Sequence, residues 1–183
     1  MIEKMLNQEE FRDCFPQIAR HLQKSELDTM LNSLEGCEFD AGEPVTRDGE
    51  TVDALYFVVD GALDCYLEKN SDRFQLGMIT KGQYIGEVAI LDGGPASTTV
   101  IAATKARLLK MTQDRFQQLR AAEPRLASTL LHAFCEMLIE RVHSSDELLL
   151  GTLLKLKQDL DISDTGKIRE MFAEAYQQLH SYE

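Results

Sequence analysis

Apolar residues in the first 34 positions recur every three to four residues: Phe11, Phe15, Ile18 and Leu22, then Leu27, Met30, Leu31 and Leu34. That is the period of one buried helix face. Pro16 interrupts the first run, and Ser25 followed by Glu26 offers a cap for a second, so two short helices are predicted over about residues 7–34. From Cys37 the texture changes to short segments separated by turn residues. Val45-Thr46 precedes a turn at Arg47-Asp48-Gly49-Glu50, and the apolar run 54–59 ends at Asp60-Gly61, a hairpin-turn signal. Residues 62–67 alternate, Asn70-Ser71-Asp72 make a further turn, residues 74–79 form another strand, and residues 107–111 form the last. Short strands at such regular spacing predict an antiparallel sandwich or jelly roll.

After Met111, Thr112 with an aspartate behind it caps a helix to about Ala122, and Pro124 suits the first turn of a long one. Its apolar residues, among them Leu126, Leu130, Phe134, Leu138, Val142 and Leu149, form a near-continuous stripe. The stripe either packs wholly on its own roll or forms a seam between two copies; it runs further than one small roll needs, which favours the seam. Ser163 or Asp164 caps a last helix carrying Ile168, Met171, Phe172 and Leu179. The fold class is therefore α+β. An antiparallel β-roll or jelly roll of about eight strands (36–122, with its following helix) lies between N-terminal helices (1–35) and a long C-terminal helical segment (123–183).

One stretch departs from this plain texture. Residues 82–100 read Gly-Gln-Tyr-Ile-Gly-Glu-Val-Ala-Ile-Leu-Asp-Gly-Gly-Pro-Ala-Ser-Thr-Thr-Val. An aromatic-apolar pair, a very short helix opening at Gly86-Glu87, a Gly-Gly-Pro turn and a β-branched run together predict a cradle in which one helical turn interrupts a strand. Free N–H groups at the start of that helix favour an anion, and Glu87 can accept hydrogen bonds from sugar hydroxyls.

These residues resemble the phosphate-binding cassette of the cyclic-nucleotide-binding domain family. That family includes catabolite-activator-like regulators, regulatory subunits of protein kinase A and gated ion channels. Gly86, Glu87, Val88 and Ala89 match its Gly-Glu-(apolar)-Ala start, Thr99-Val100 match its end, and residues 54–63 match its Leu-Tyr-(apolar)-(apolar)-x-x-Gly hairpin. The resemblance covers about residues 36–120. It implies a ligand site at Gly86, Glu87, Val88, Ala89, Ala96, Ser97 and Thr98, with a cyclic nucleotide, cAMP or cGMP, as the ligand if one binds.

The family's phosphate-gripping arginine is absent: with Pro95 and Thr99 aligned, its slot falls on Ala96, and Ser97 and Thr98 take the two small-residue positions. A charge-assisted hydrogen bond is worth roughly 1.5–3 kcal/mol, so affinity falls by about one to two orders of magnitude. Glu87 then either binds a ribose hydroxyl or simply caps the short helix. Ser97 and Thr98 either donate to a phosphate or bond their own loop. Arg73, Lys105 and Arg107 are the basic residues nearby in sequence.

Composition and charge narrow the function. With 19 basic and 31 acidic residues the formal charge is −12, which repels a phosphate backbone. Acidic residues also outnumber basic ones after Ser144, and the forty or so residues after Val142 are too few for a winged helix-turn-helix. Nucleic acid is therefore not an expected partner. No run of about 18 apolar residues spans a membrane, and the acidic, helical start does not read as a signal peptide. Four scattered cysteines, Cys14, Cys37, Cys65 and Cys135, signal neither zinc nor a disulfide framework. A cytoplasmic protein with reduced thiols is expected.

Cupins share the roll and hold metals through histidines, but His21, His132, His143 and His180 all lie outside residues 37–111, so no metal site is expected. No hydrolase elbow, Walker loop or zincin helix is present, so no catalytic residue and no enzyme is expected. The leading reading is a regulatory module that acts on a protein partner, homodimeric through its long helix, with weak, altered or absent cyclic-nucleotide binding. Its competitors are an authentic cAMP or cGMP sensor and a DNA-binding regulator.

Overall fold

The computed structural model describes residues 6–69 and 72–159, with residues 166, 170 and 173 beyond them. The helix expected after Ser163 lies outside the described residues. The chain divides into two compact units, Met1–Phe134 and Cys135–Glu183.

The first unit begins with three helices, α1 (Gln8–Cys14), α2 (Pro16–Ala19) and α3 (Lys24–Asn32), where the periodicity predicts two. Pro16 divides the first run by starting a new helix rather than by breaking one, since its missing N–H costs nothing in a first turn. Asn7 caps α1 in a reciprocal box: its Oδ1 accepts from the Glu10 N–H (3.0 Å), and its own N–H donates to Glu10 Oε2 (2.8 Å). At α3 the cap is Gln23, whose N–H donates to Glu26 Oε2 at 2.8 Å. This corrects Ser25, which lies inside the helix.

Eight strands follow: β1 (Glu35–Phe39), β2 (Pro44–Thr46), β3 (Ala54–Asp60), β4 (Ala62–Lys69), β5 (Asp72–Thr80), β6 (Tyr84–Ile85), β7 (Thr99–Ala102) and β8 (Ala106–Thr112). They form two antiparallel sheets, ordered β1-β8-β3-β6 and β2-β7-β4-β5. The jelly roll is thus confirmed.

The hairpin predicted at Asp60-Gly61 is not one. β3 and β4 belong to different sheets, and the chain crosses between them at Gly61. Gly61 has φ +85°, and a Cβ there would strike the Lys105 carbonyl oxygen and come within 2.8 Å of Ala106 Cα. Gly61→Ala should lower the urea midpoint by the equivalent of at least about 2 kcal/mol, from the left-handed conformation and the collision together. An unchanged midpoint would show that the corner has room.

Residues 54–59 form a continuous apolar run because β3 is covered on both faces. Ala54, Tyr56 and Val58 point into the roll, where they pack with Leu63, Ile85, Val100 and Leu108. Phe57 points the other way, into a ladder of rings: Phe11 and Phe15 (4.8 Å between centroids), Phe15 and Phe57 (5.4 Å), Phe57 and Tyr84 (5.7 Å), Tyr84 and Phe134 (5.5 Å), Phe134 and Phe116 (6.3 Å). The ladder joins α1, β3 and β6 to α5 (Gln113–Ala122) and to the first turns of α6 (Pro124–Asp159). As expected, α5 is capped by Thr112, whose Oγ1 accepts from the Arg115 N–H at 3.3 Å.

In the second unit α6 continues to Asp159. Among its described side chains Ile139 and Val142 are exposed large apolar groups, at 55% and 58%. Cys135 is exposed as well. These three positions, four and then three residues apart, share one helix face.

Candidate functional site

The two-residue strand β6 sets the cassette. Tyr56 pairs with Ile85 and Phe57 with Tyr84. Ile85 therefore enters the roll, while Tyr84 faces the helices and donates its buried hydroxyl to the Ala133 carbonyl at 2.8 Å. Directly after β6, Gly86 takes the left-handed conformation (φ +88°) and passes so close to β3 that any Cβ would meet the Ala54 carbonyl oxygen.

Helix α4 (Glu87–Asp92) starts there, as the Gly86-Glu87 signal predicts. Glu87, Ala89 and Ile90 are buried on it, whereas Val88 and Leu91 are exposed. Glu87 is 3% exposed, one of the few buried polar residues of the described chain. Its Oε2 atom is enclosed, and the residue is not without a partner. Gly93, again left-handed, ends the helix by donating its N–H to the Ala89 carbonyl at 2.8 Å.

The second half of the cassette is held by a segment that sequence reading treated only as a turn. Residues 46–51 run along residues 95–99: Thr51 bridges Pro95, the Ala96 N–H donates to the Glu50 carbonyl (2.8 Å), and the Gly49 N–H donates to the Ala96 carbonyl (2.9 Å). Thr46 Oγ1 donates to the Thr98 carbonyl (3.3 Å), and the Asp48 N–H donates to Thr99 Oγ1 (3.1 Å). Partners 44 to 52 residues apart leave no local motif, which is why this clasp was not foreseen.

Within the clasp Ala96 is partly buried against the roll's apolar cluster, the same cluster that receives Ala89 from α4. Glu87, Ala89 and Ala96 are thus all turned inward. Val88 and Ser97 are exposed, and Thr98 is intermediate.

The three basic residues that the sequence singles out each have an acidic partner. Arg73 lies 3.8 Å from Glu68 and stacks 3.7 Å over the Tyr66 ring, Lys105 pairs with Glu38 (3.2 Å), and Arg107 pairs with Asp60 (3.7 Å), all with substantial exposure. Two groups elsewhere in the roll are shifted. Burial pushes the Cys37 thiol up, against the nearby Lys110 charge that pulls it down. Burial also raises the Tyr56 phenol, with Cys37 and Asp53 adding to the effect. Both therefore stay neutral at physiological pH. Among the described residues no three His, Cys, Asp or Glu side chains cluster to hold a metal, and no helix is long and apolar enough to cross a membrane.

Comparison with known proteins agrees with this geometry. The model of the cyclic nucleotide-binding domain matches residues 37–123. A cyclic nucleotide-gated potassium channel of Rhizobium etli is 34% identical over 90 residues, which cover 49% of this chain and 24% of the channel. The cAMP-dependent protein kinase regulatory subunit of Aspergillus niger is 28% identical over 90 residues, covering 49% of this chain and 21% of the subunit. The chain thus spans about a quarter or less of the length of these relatives. A crystal structure of a cyclic nucleotide-binding domain from Methylobacillus flagellatus superimposes with a TM-score of 0.71 at 18% identity, over 79% of this chain and 85% of that one. Residues 37–123 of the chain match the cyclic nucleotide-binding domain family, and the fold around them is that of its solved members.

Proposed function

We propose that the chain is a non-enzymatic regulatory module that acts through protein–protein contacts and binds cyclic nucleotides weakly or not at all. The observation that carries this reading is Ala96: the position aligned with the family's arginine bears a methyl group packed on an apolar cluster. Arg73, Lys105 and Arg107 are held by acidic partners instead. A cyclic phosphate would lose roughly 1.5–3 kcal/mol of charge-assisted bonding there, about one to two orders of magnitude in affinity. Calorimetric titration of the full chain with cAMP and with cGMP tests it. No saturable heat below the millimolar range is expected, and submillimolar binding of either would establish an authentic sensor instead.

The formal charge of −12 supports a protein partner over nucleic acid, and the free cysteines suit a cytoplasmic setting. Any signal in the cassette has a short route out: Tyr84 sits two residues before Gly86 and bonds the α6 backbone at Ala133. A ligand could re-aim α6 only through different affinity for two arrangements of these groups.

A second copy along α6 is part of the same reading, and the exposed apolar groups Ile139 and Val142, with Cys135 on their face, support it. Light scattering should give twice the chain mass. The double variant Ile139→Lys, Val142→Lys should give a folded monomer, and a wild-type chain that stays monomeric at high concentration removes the dimer.

A further inference from the structure

Building on the proposed function, which calls for a protein partner, we infer that the partner binds at the outer edge of β5, where it adds an extended apolar segment with basic flanks as a further strand. The two sheets end in β1 and β6 on one side of the roll and in β2 and β5 on the other. An edge strand carries a row of unpaired N–H and C=O groups, which recruits another chain unless the strand is short, charged or broken by proline. The first three edges are guarded in those ways. β6 has two residues, β2 has three and starts at Pro44, and β1 has five, among them Glu35 and Glu38. β5 is nine residues long, and from Asp72 to Thr80 the sequence has neither proline nor lysine. Its two charges, Asp72 and Arg73, sit together at one end. The rest presents Phe74, Leu76 and Met78, which are 54%, 52% and 57% exposed.

The pairing of β5 with β4 determines what fits its free side. Cys65 pairs with Gly77 and Tyr66 with Gln75, so Leu76 is an extra residue and the alternation of faces reverses across it. On one side of this bulge Met78 lies opposite Asp64. On the other, Gln75 donates to the same Asp64 (2.9 Å) and Arg73 stacks on Tyr66, so both share the face of Met78 and Phe74 takes the opposite one. An added strand is therefore held by apolar side chains on both of its faces. A second copy fits badly. Paired antiparallel about Leu76, it would bring Phe74 opposite the other copy's Met78 with the two side chains on different faces, and two chains of formal charge −12 repel each other. The same charge attracts a segment flanked by Lys or Arg.

The experiment titrates the full chain into a fluorescent peptide, Lys-Lys-Val-Thr-Val-Thr-Val-Lys-Lys, and reads polarisation. Saturable binding with a midpoint below about 100 μM is expected. The same peptide N-methylated at its five central residues has no donors for the edge and should bind about tenfold weaker or worse, a readout that needs no change in the protein. Glutamates in place of its lysines should cost a similar factor. So should the double variant Phe74→Lys, Met78→Lys, whose melting temperature should stay at the wild-type value because both side chains are exposed.

No saturable binding overturns this inference, as does equal binding by the methylated or glutamate-flanked peptide or to the double variant. Light scattering that shows the unliganded chain associating with itself, in a state that the double variant abolishes, overturns it as well, since the occupant is then a second copy. None of these results bears on the cAMP and cGMP titrations. Submillimolar binding of either nucleotide overturns the proposed function and leaves the edge of β5 as it stands.

Discussion

Phe134→Ala should destabilise the first unit by about 3–5 kcal/mol, the usual cost of removing a fully enclosed ring. Phe134 is 0% exposed and lies between Tyr84 and Phe116 in the aromatic ladder. Its loss would also strip packing from the Tyr84 hydroxyl bond to Ala133. Against a typical total of about 5–15 kcal/mol this is a large fraction, and the melting temperature should fall by roughly 10 °C or more. Ile139→Ala, on the exposed face of the same helix, should change stability by no more than about 0.5 kcal/mol. Thermal melts of the two variants side by side make the comparison. If both melt with the wild type, α6 does not close this core.

Ala96→Arg should create or strengthen cyclic-nucleotide binding by about tenfold or more, the scale of a recovered charge-assisted contact. The frame for it is intact: Gly86 and Glu87 open α4, Pro95 is pinned to Thr51, and Thr99 enters β7. A guanidinium at this position can grip a phosphate in fork geometry and offset the charge of Glu87. It also has to sit beside an apolar cluster, so the unliganded variant should melt below the wild type and recover when cAMP or cGMP is added. Adding Glu87→Ala to the arginine variant should remove part of the gain. A folded arginine variant with no improved binding of either nucleotide would mean that the cassette is closed, and would reduce it to a structural loop.

Periodicity carried much of the fold into plain view. The Gly86-Glu87 opening, the Thr112 cap, the start of a helix at Pro124 and the run of short strands all stand where the pattern places them. The misses share a physical cause. Asp60-Gly61 has the residues of a reversal, but turn chemistry says only that the chain bends. Whether the next strand joins the same sheet depends on β7 and β8, forty residues later. Leu130 and Phe134 lie on an apolar stripe that could have faced a second copy, and they are instead fully buried in the first unit. A stripe declares that something covers it, not what. The clasp between residues 46–51 and 95–99 is made mostly of backbone groups, which every sequence possesses, with two threonine hydroxyls beside them.

The aromatic ladder also bears on the order in which the chain is made. Phe57 and Tyr84 emerge from the ribosome well before Phe116 and Phe134, the rings that cover their far side. At about 5–20 residues per second, that face of the nascent roll waits for several seconds with only α1 and α2 beside it. The roll therefore cannot finish folding strand by strand as it is synthesised. Its outer layer closes late, as α5 and then the start of α6 arrive, and during that interval the exposed rings are a natural target for a chaperone.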